Sequence, residues 1–207
     1  MSNNYWENVY QSKDTDQVSW YQAQDTKTLE LIQSQALAQD AKIIDVGSGS
    51  SLLIDQLVEA GYKNLYVLDL SKTALTHTEV RLKEKNLDTS HIQWLVEDVG
   101  QVQLPTKFFD LWHDRAVFHF MVSEKQQQSY LKNLRNSLKP NGLAIISTFA
   151  ADGPEKCSGL PVERYSIEKL KNTLGPDFKL LQHEHEVHIT PWNAEQNFLH
   201  SLWSYQP

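Results

Sequence analysis

The chain has 207 residues, 40% of them hydrophobic and 22% charged, with a formal net charge of −7. These proportions suit one globular domain that buries roughly 70% of its unfolded surface and needs no disulfide or structural metal; its one cysteine, Cys157, has no internal partner to bridge. The acidic balance argues against general nucleic-acid binding, and no apolar run approaches the roughly 18 residues of a membrane span. With no signal-peptide pattern at the start, the expectation is a cytoplasmic protein with neither nucleic acid nor membrane as partner.

Residues 1–25 carry Trp6, Tyr10, Trp20 and Tyr21 among polar neighbours, which predicts an arm packed on the main core or a lid over its pocket. From Thr26 the spacing of Leu29, Ile32, Ala36 and Leu37 is helical, with Asp25 or Thr26 as its cap. Residues 42–51, KIIDVGSGSS, then join a short apolar run, an acid and two glycines to a new apolar period, which reads as strand, tight turn and helix. Glycines there let the backbone approach a ligand, and the N–H groups of a helix start favour an anion. Leu52, Leu53, Gln56, Leu57 and Ala60 continue that helix to Gly61.

A second strand is predicted over 65–70, LYVLDL, broken only by Asp69, and Ser71 caps the helix after it. A third strand, 91–96, ends in Glu97 and Asp98. The fourth, 108–113, precedes a helix capped by Ser123 that runs through Tyr130, Leu131, Leu134 and Leu138; a turn over 139–142 leads to a fifth strand, 143–149. Strands alternating with helices imply parallel neighbours joined by crossovers. After a loop and a short helix near 166–174, two strands, 178–189 and 196–205, have only a turn between them, so they must be antiparallel. The expected fold is α/β: a doubly wound, Rossmann-like, mostly parallel seven-stranded sheet with a C-terminal antiparallel strand pair. It reads as one domain over 1–207, with an arm or lid (1–25), a cofactor-binding core (26–150) and an acceptor-side loop and tail (151–207).

The loop spacing chooses between two cofactor classes. A dinucleotide site needs G-x-G-x-x-G, but Leu52 stands where the third glycine would be, while Asp45 completes D-x-G-x-G. With Asp69 after the second strand, Glu97-Asp98-Val99 after the third and Phe109-Asp110-Leu111 opening the fourth, the chain resembles the class I S-adenosylmethionine-dependent methyltransferases from residue 42 onward. That resemblance implies S-adenosylmethionine as cofactor. It implies that Gly47, Ser48 and Gly49 cradle the methionine part and Asp45 holds its amino group. It further implies that Asp69, with Leu70 beside it, takes the ribose hydroxyls, and that Asp98 and the Val99 N–H meet the adenine.

The stretch 108–120, FFDLWHDRAVFHF, lies where open α/β sheets bind ligands. It supplies His113, Asp114, Arg115 and His119 as candidate catalytic residues, with His113 also near the cofactor. The alternative readings are that Asp114 and Arg115 pair with each other and that His119 is a core histidine. The Asp-Arg pair is similar to the Asp-Arg-Gly of thiopurine methyltransferases and the Asp-Lys-Gly of elongation-factor lysine methyltransferases, although Ala116 replaces the glycine; residues 6–22 look like the arm of the latter group. Trp20, Tyr21, Cys157, Arg164 and Tyr165 are the candidate acceptor-binding residues, and His183, His185 and His188 lack metal-ligand spacing. The expected activity is methyl transfer to a small-molecule acceptor, with a protein lysine as alternative and a non-catalytic cofactor-binding regulatory domain as the third reading.

Overall fold

A computed structural model describes residues 3–22 and 26–207. Helix α1 (Asn3–Ser12) opens the described chain, and α2 (Thr26–Ser34) leads into β1 (Lys42–Val46). Then come α3 (Leu53–Glu59), β2 (Asn64–Asp69), α4 (Lys72–Glu84), β3 (Ile92–Val96), β4 (Phe109–Arg115), α5 (Glu124–Ser137) and β5 (Leu138–Phe149). The remainder is a small hairpin of β6 (Lys156–Cys157) and β7 (Leu160–Pro161), then α6 (Ile167–Leu174), β8 (Phe178–Ile189) and β9 (Glu195–Tyr205).

Seven strands form one sheet in the order β3-β2-β1-β4-β5-β9-β8. Pairing is parallel from β3 to β5 and antiparallel at β5–β9 and β8–β9, as the alternation and the helix-free tail predict. Strand order reverses between β1 and β4, and the crevice at their carboxyl ends is where such sheets bind ligands. Consecutive strand residues face opposite sides, which makes two cores. Ile44, Trp112, Ile146 and Trp203 pack on one side with Tyr130 and Leu134 of α5 and Leu170 of α6. Ile43, Leu111, Ile145 and Leu202 pack on the other with Ile32, Leu53 and Leu82 from α2, α3 and α4.

The local signals hold where they are short-range. Ser71 accepts from the Ala74 N–H and Ser123 forms a capping box with Gln126, while Ser166, not singled out by the sequence, caps α6 by accepting from the Lys169 N–H. Gly61 follows α3 at φ 87. Three details differ from expectation. The arm contains α1, whose apolar Trp6 and Tyr10 lie one turn apart among polar residues too numerous to show a period. The turn expected over 139–142 is a distortion within β5: Asn141 sits at φ 64 and the β4–β5 register shifts between Phe109 and Leu111. The long loop after β5 folds back as the β6–β7 hairpin. Asp25, one of the two expected caps of α2, lies outside the described residues, as does the Thr26 side chain. Among the described residues no helix is long and apolar enough to cross a membrane.

Candidate active site

The loop after β1 is bound across to β2, because the Gly47 and Ser48 N–H groups both donate to the Leu68 carbonyl, at 2.7 and 3.1 Å. Gly47 and Gly49 have φ of 63 and 56, a region that side chains disfavour. Space forbids a Cβ as well: at Gly47 it would strike the Val117 side chain, and at Gly49 the Tyr10 hydroxyl. Arg81 of α4 fixes the far end of the loop through the carbonyls of Ser50 (3.0 Å) and Ser51 (2.7 Å) while pairing with buried Asp55 at 2.7 Å. Neither Arg81 nor Asp55 was singled out by the sequence; the available signal is Asp55 standing in the buried stripe of α3 beside Leu53, Ile54 and Leu57.

Asp69 closes β2 with each carboxylate oxygen accepting one backbone N–H, from Gly49 and from Ser71, both at 2.8 Å. Burial pushes it up to about 6 in spite of these donors. Asp98 accepts from the Gly100 N–H at 2.8 Å. Both acids line a cavity of about 590 Å³, together with Leu70 and Val99. Its other walls are Trp6, Trp20, Phe120, Met121 and Cys157, with Arg115, Ala116 and Val117 between. A smaller cleft of about 40 Å³ adjoins it, sharing Gly47, Trp20 and Arg115 and adding Asp45, Ser48, Tyr21 and His113.

Over this cavity lies α1. Trp6 meets Phe120 and Trp20 edge-on, at 5.2 and 5.7 Å between ring centroids, and Tyr5 donates to the Ser158 carbonyl in the β6–β7 hairpin. Glu7 reaches the start of α4 on the opposite side.

Residues 44–146 match the family described as a methyltransferase domain, and they hold the glycine loop, Asp69, Asp98 and β4. The chain belongs to the class I S-adenosylmethionine-dependent methyltransferases. The methyltransferase is 29% identical over 157 residues to EEF1A lysine methyltransferase 2 of Danio rerio, an alignment that spans 70% of this chain and 66% of that relative. Among solved structures it is similar to the Burkholderia thailandensis 1,6-didemethyltoxoflavin-N1-methyltransferase with bound 1,6-didemethyltoxoflavin and S-adenosylhomocysteine. The TM-score there is 0.70 at 16% identity, over 100% of this chain and 84% of that one. A structure reported for the conversion of a disulfide bond into a thioacetal group during echinomycin biosynthesis gives a TM-score of 0.79 at 15% identity, over 99% and 92%. At such identities these structures speak for the fold.

The residues of the methyltransferase fit its cofactor. Asp45 is buried, and although Oδ1 accepts from His113 Nδ1 at 2.6 Å, Oδ2 has no hydrogen-bond partner among the described residues. The buried hydroxyl of Ser48 is in the same condition. Two buried polar groups awaiting partners beside a glycine loop are what a bound amino-acid group would satisfy.

Several expected site residues are directed elsewhere. Asp114, a candidate base, is fully buried and off the cavity wall. Its oxygens accept from Val117 N–H (2.9 Å), Phe118 N–H (3.0 Å) and the Tyr130 hydroxyl (2.5 Å), so it braces the turn after β4. Burial raises it to about 6 against these hydrogen bonds. It does not pair with Arg115, whose Nη1 donates to the Trp20 carbonyl at 3.0 Å and whose guanidinium lies 4.7 Å from the Phe198 ring centre. His119 is also off the wall, packed on Phe149 with Nδ1 accepting from the Phe149 N–H; burial and the Arg115 charge push it down to about 3, so the ring is neutral. Tyr165 is buried against Phe118 and Arg164 ties its own loop to the Gly153 carbonyl, so neither reaches the cavity. Cys157 does reach it, as a thiol pushed up to about 12 by burial. Trp20 lines both spaces and Tyr21 only the smaller.

Proposed function

We propose that the protein transfers the methyl group of S-adenosylmethionine to a small-molecule acceptor held at the aromatic end of the cavity. The observation that carries this reading is the wall there. Trp6, Trp20, Phe120 and Met121 line the cavity with Cys157, and the Arg115 cation acts on the Cys157 thiol, while Asp69, Glu97 and Asp98 are the carboxylates of the same wall. A flat apolar acceptor fits such an aromatic wall. The helix α1 contributes Trp6 and Tyr10 to the wall, which favours a compact acceptor over a folded protein surface.

In this reading Asp45 and the Ser48 hydroxyl take the amino-acid end of the cofactor, against the closely approached backbone of the glycine loop. Asp69 takes the ribose hydroxyls, and Asp98 and the Val99 N–H take the adenine. The cofactor supplies an electrophilic methyl on a sulfonium, and displacement is in line. The protein contributes mostly position, on the order of 7–11 kcal/mol for well-oriented reactants. His119 and Asp114 act as supports for the turn that carries Arg115, Ala116 and Val117. Residues 1–207 act as one domain around the seven-stranded sheet, and the single cysteine supports a cytoplasmic setting.

A protein lysine is the second reading, favoured by the resemblance to EEF1A lysine methyltransferase 2. The deciding experiment incubates purified protein and cofactor tritiated on the methyl with a cell lysate, then separates protein from small molecules. Label in the small-molecule fraction is expected; label confined to protein, and mapped to lysine, would replace the first reading with the second.

A further inference from the structure

His113, buried against Asp45, is left without a task by the methyl-transfer reading. Parallel register places them side by side, Asp45 of β1 opposite His113 of β4, and both side chains are almost wholly shielded, at 2% and 3% exposure. The 2.6 Å contact joins Nδ1 to Oδ1. An ionised carboxylate can only accept, so Nδ1 carries a proton and donates to Asp45, while Nε2 lies 3.4 Å from the Thr28 hydroxyl of α2. Thr28 is fully buried, which completes a line from α2 through β4 to β1.

The terminal torsion of an aspartate is soft and roughly two-fold, so burial alone does not decide which oxygen faces the cleft. A charge-assisted hydrogen bond to one oxygen does decide it. We propose that His113 is a positioning residue for the methyl donor: by engaging Oδ1 of Asp45 it aims the unpartnered Oδ2 at the cofactor's amino group, with Thr28 steadying the imidazole from behind. The proposal rests on the assignment of that amino group to Asp45. The neighbours of His113 on β4 do not share this task, since Trp112 and Asp114 point to the other face.

The test compares two ligands by calorimetric titration: S-adenosylhomocysteine, which has the amino-acid group, and 5′-methylthioadenosine, which has the nucleoside but lacks it. A hydrogen bond to a charged group contributes roughly 1.5–3 kcal/mol, so His113→Leu should weaken S-adenosylhomocysteine about 10- to 100-fold and 5′-methylthioadenosine less than about twofold. His113→Asn presents an amide N–H near the Nδ1 position and should restore most of the affinity. His113→Gln, whose amide reaches the Nε2 position, should not. Thr28→Val, a milder change that keeps the shape, should give a smaller loss confined to S-adenosylhomocysteine, which keeps the test alive if His113→Leu does not fold. Equal losses for both ligands, or no loss for S-adenosylhomocysteine, would overturn the proposal. Asp45→Asn separates the two layers. If it leaves the preference for S-adenosylhomocysteine intact, the amino-group assignment fails and the proposal with it; if it abolishes the preference while His113→Leu does not, the positioning role alone is wrong.

Discussion

Both carboxylate oxygens of Glu7 are engaged by Thr73, Oε2 by its backbone N–H at 3.3 Å and Oε1 by its hydroxyl, and the Ser71 hydroxyl adds a bond to Oε2 at 2.8 Å. A residue of the first helix thus caps the fourth from outside, where unsatisfied N–H groups and the helix dipole welcome an anion. The Thr73 and Ser71 hydrogen bonds hold Glu7 below the usual carboxylate range.

This clip holds α1 over the cavity, so its loss should be felt in how long the cofactor stays. Glu7→Ala removes an interaction of the size of a helix cap, about 1 kcal/mol. S-adenosylhomocysteine should dissociate about fivefold faster, measured by stopped-flow fluorescence of the cavity tryptophans. Because the folded value of Glu7 is depressed, its contribution is present above the unfolded value and fades as pH falls through the folded one. The difference between wild type and variant should therefore shrink in acid. An unchanged dissociation rate would mean that α1 is not a gate.

Asp114 gives a prediction about stability rather than turnover. Asp114→Ala leaves two backbone donors and the Tyr130 hydroxyl buried without their acceptor and should cost about 3 kcal/mol in urea unfolding. Tyr130→Phe should cost about 1 kcal/mol. Cofactor affinity of Asp114→Asn should stay near wild type, and its turnover should fall much less than for a lost base. The sign of the pH effect follows from the raised value of about 6. That contribution is fully present below the unfolded value and lost as pH rises through 6, so wild type should gain stability relative to Asp114→Asn between pH 7 and pH 4. A collapse of turnover in Asp114→Asn with stability unchanged would return Asp114 to the chemistry.

The parts of the site that were legible in the sequence are those fixed by local backbone needs. Gly47 and Gly49 are readable because their left-handed φ and the crowding by Val117 and Tyr10 leave no room for another residue. Ser71 and Ser123 are readable because a cap is a contact three residues long. The misread residues depend on distant partners. Asp114 and Arg115 look like a pair in one dimension, but neighbours on a strand face opposite sides, and the Tyr130 hydroxyl that engages Asp114 comes from α5. Arg164 and Tyr165 looked exposed to an acceptor until the chain turned back along β5, where the Tyr165 N–H donates to the Phe149 carbonyl and the ring is drawn into the core. The Glu7 clip crosses between α1 and α4, and no pattern in either helix announces it.

Ala116 occupies a backbone position suited to glycine, with φ at 68. The left-handed region costs a non-glycine residue roughly 1–2 kcal/mol, partly offset by the extra freedom glycine has when unfolded. Ala116→Gly should therefore raise stability by up to about 1 kcal/mol where most glycine substitutions lower it, read as an increased urea midpoint at constant slope. Since the N–H of residue 116 donates to the Ser147 carbonyl in either case, cofactor affinity should not change. A loss of stability would show that the Ala116 methyl, on the cavity wall, contributes more by packing than its conformation costs.

Asp69 makes cofactor binding sensitive to mild acid. In the free protein its carboxyl stands at about 6, raised first by burial and further by the charge of Asp45, against the N–H donors of Ser71 and Gly49. Only the ionised form accepts from both ribose hydroxyls while keeping those two backbone donors, so bound cofactor favours deprotonation and proton uptake competes with it. The dissociation constant of S-adenosylhomocysteine should be flat from pH 8 to 7 and then rise towards tenfold per unit below 6. Asp69→Asn should bind more weakly and nearly without pH dependence. Two other groups at the site stay silent in this window, His119 neutral at about 3 and Cys157 protonated at about 12. Asp114, also at about 6, is the competing source. It is separated by repeating the titration in Asp114→Asn, where the acid weakening should persist; its disappearance there, with Asp69→Asn still titrating, would transfer the effect from the ribose carboxylate to the turn after β4.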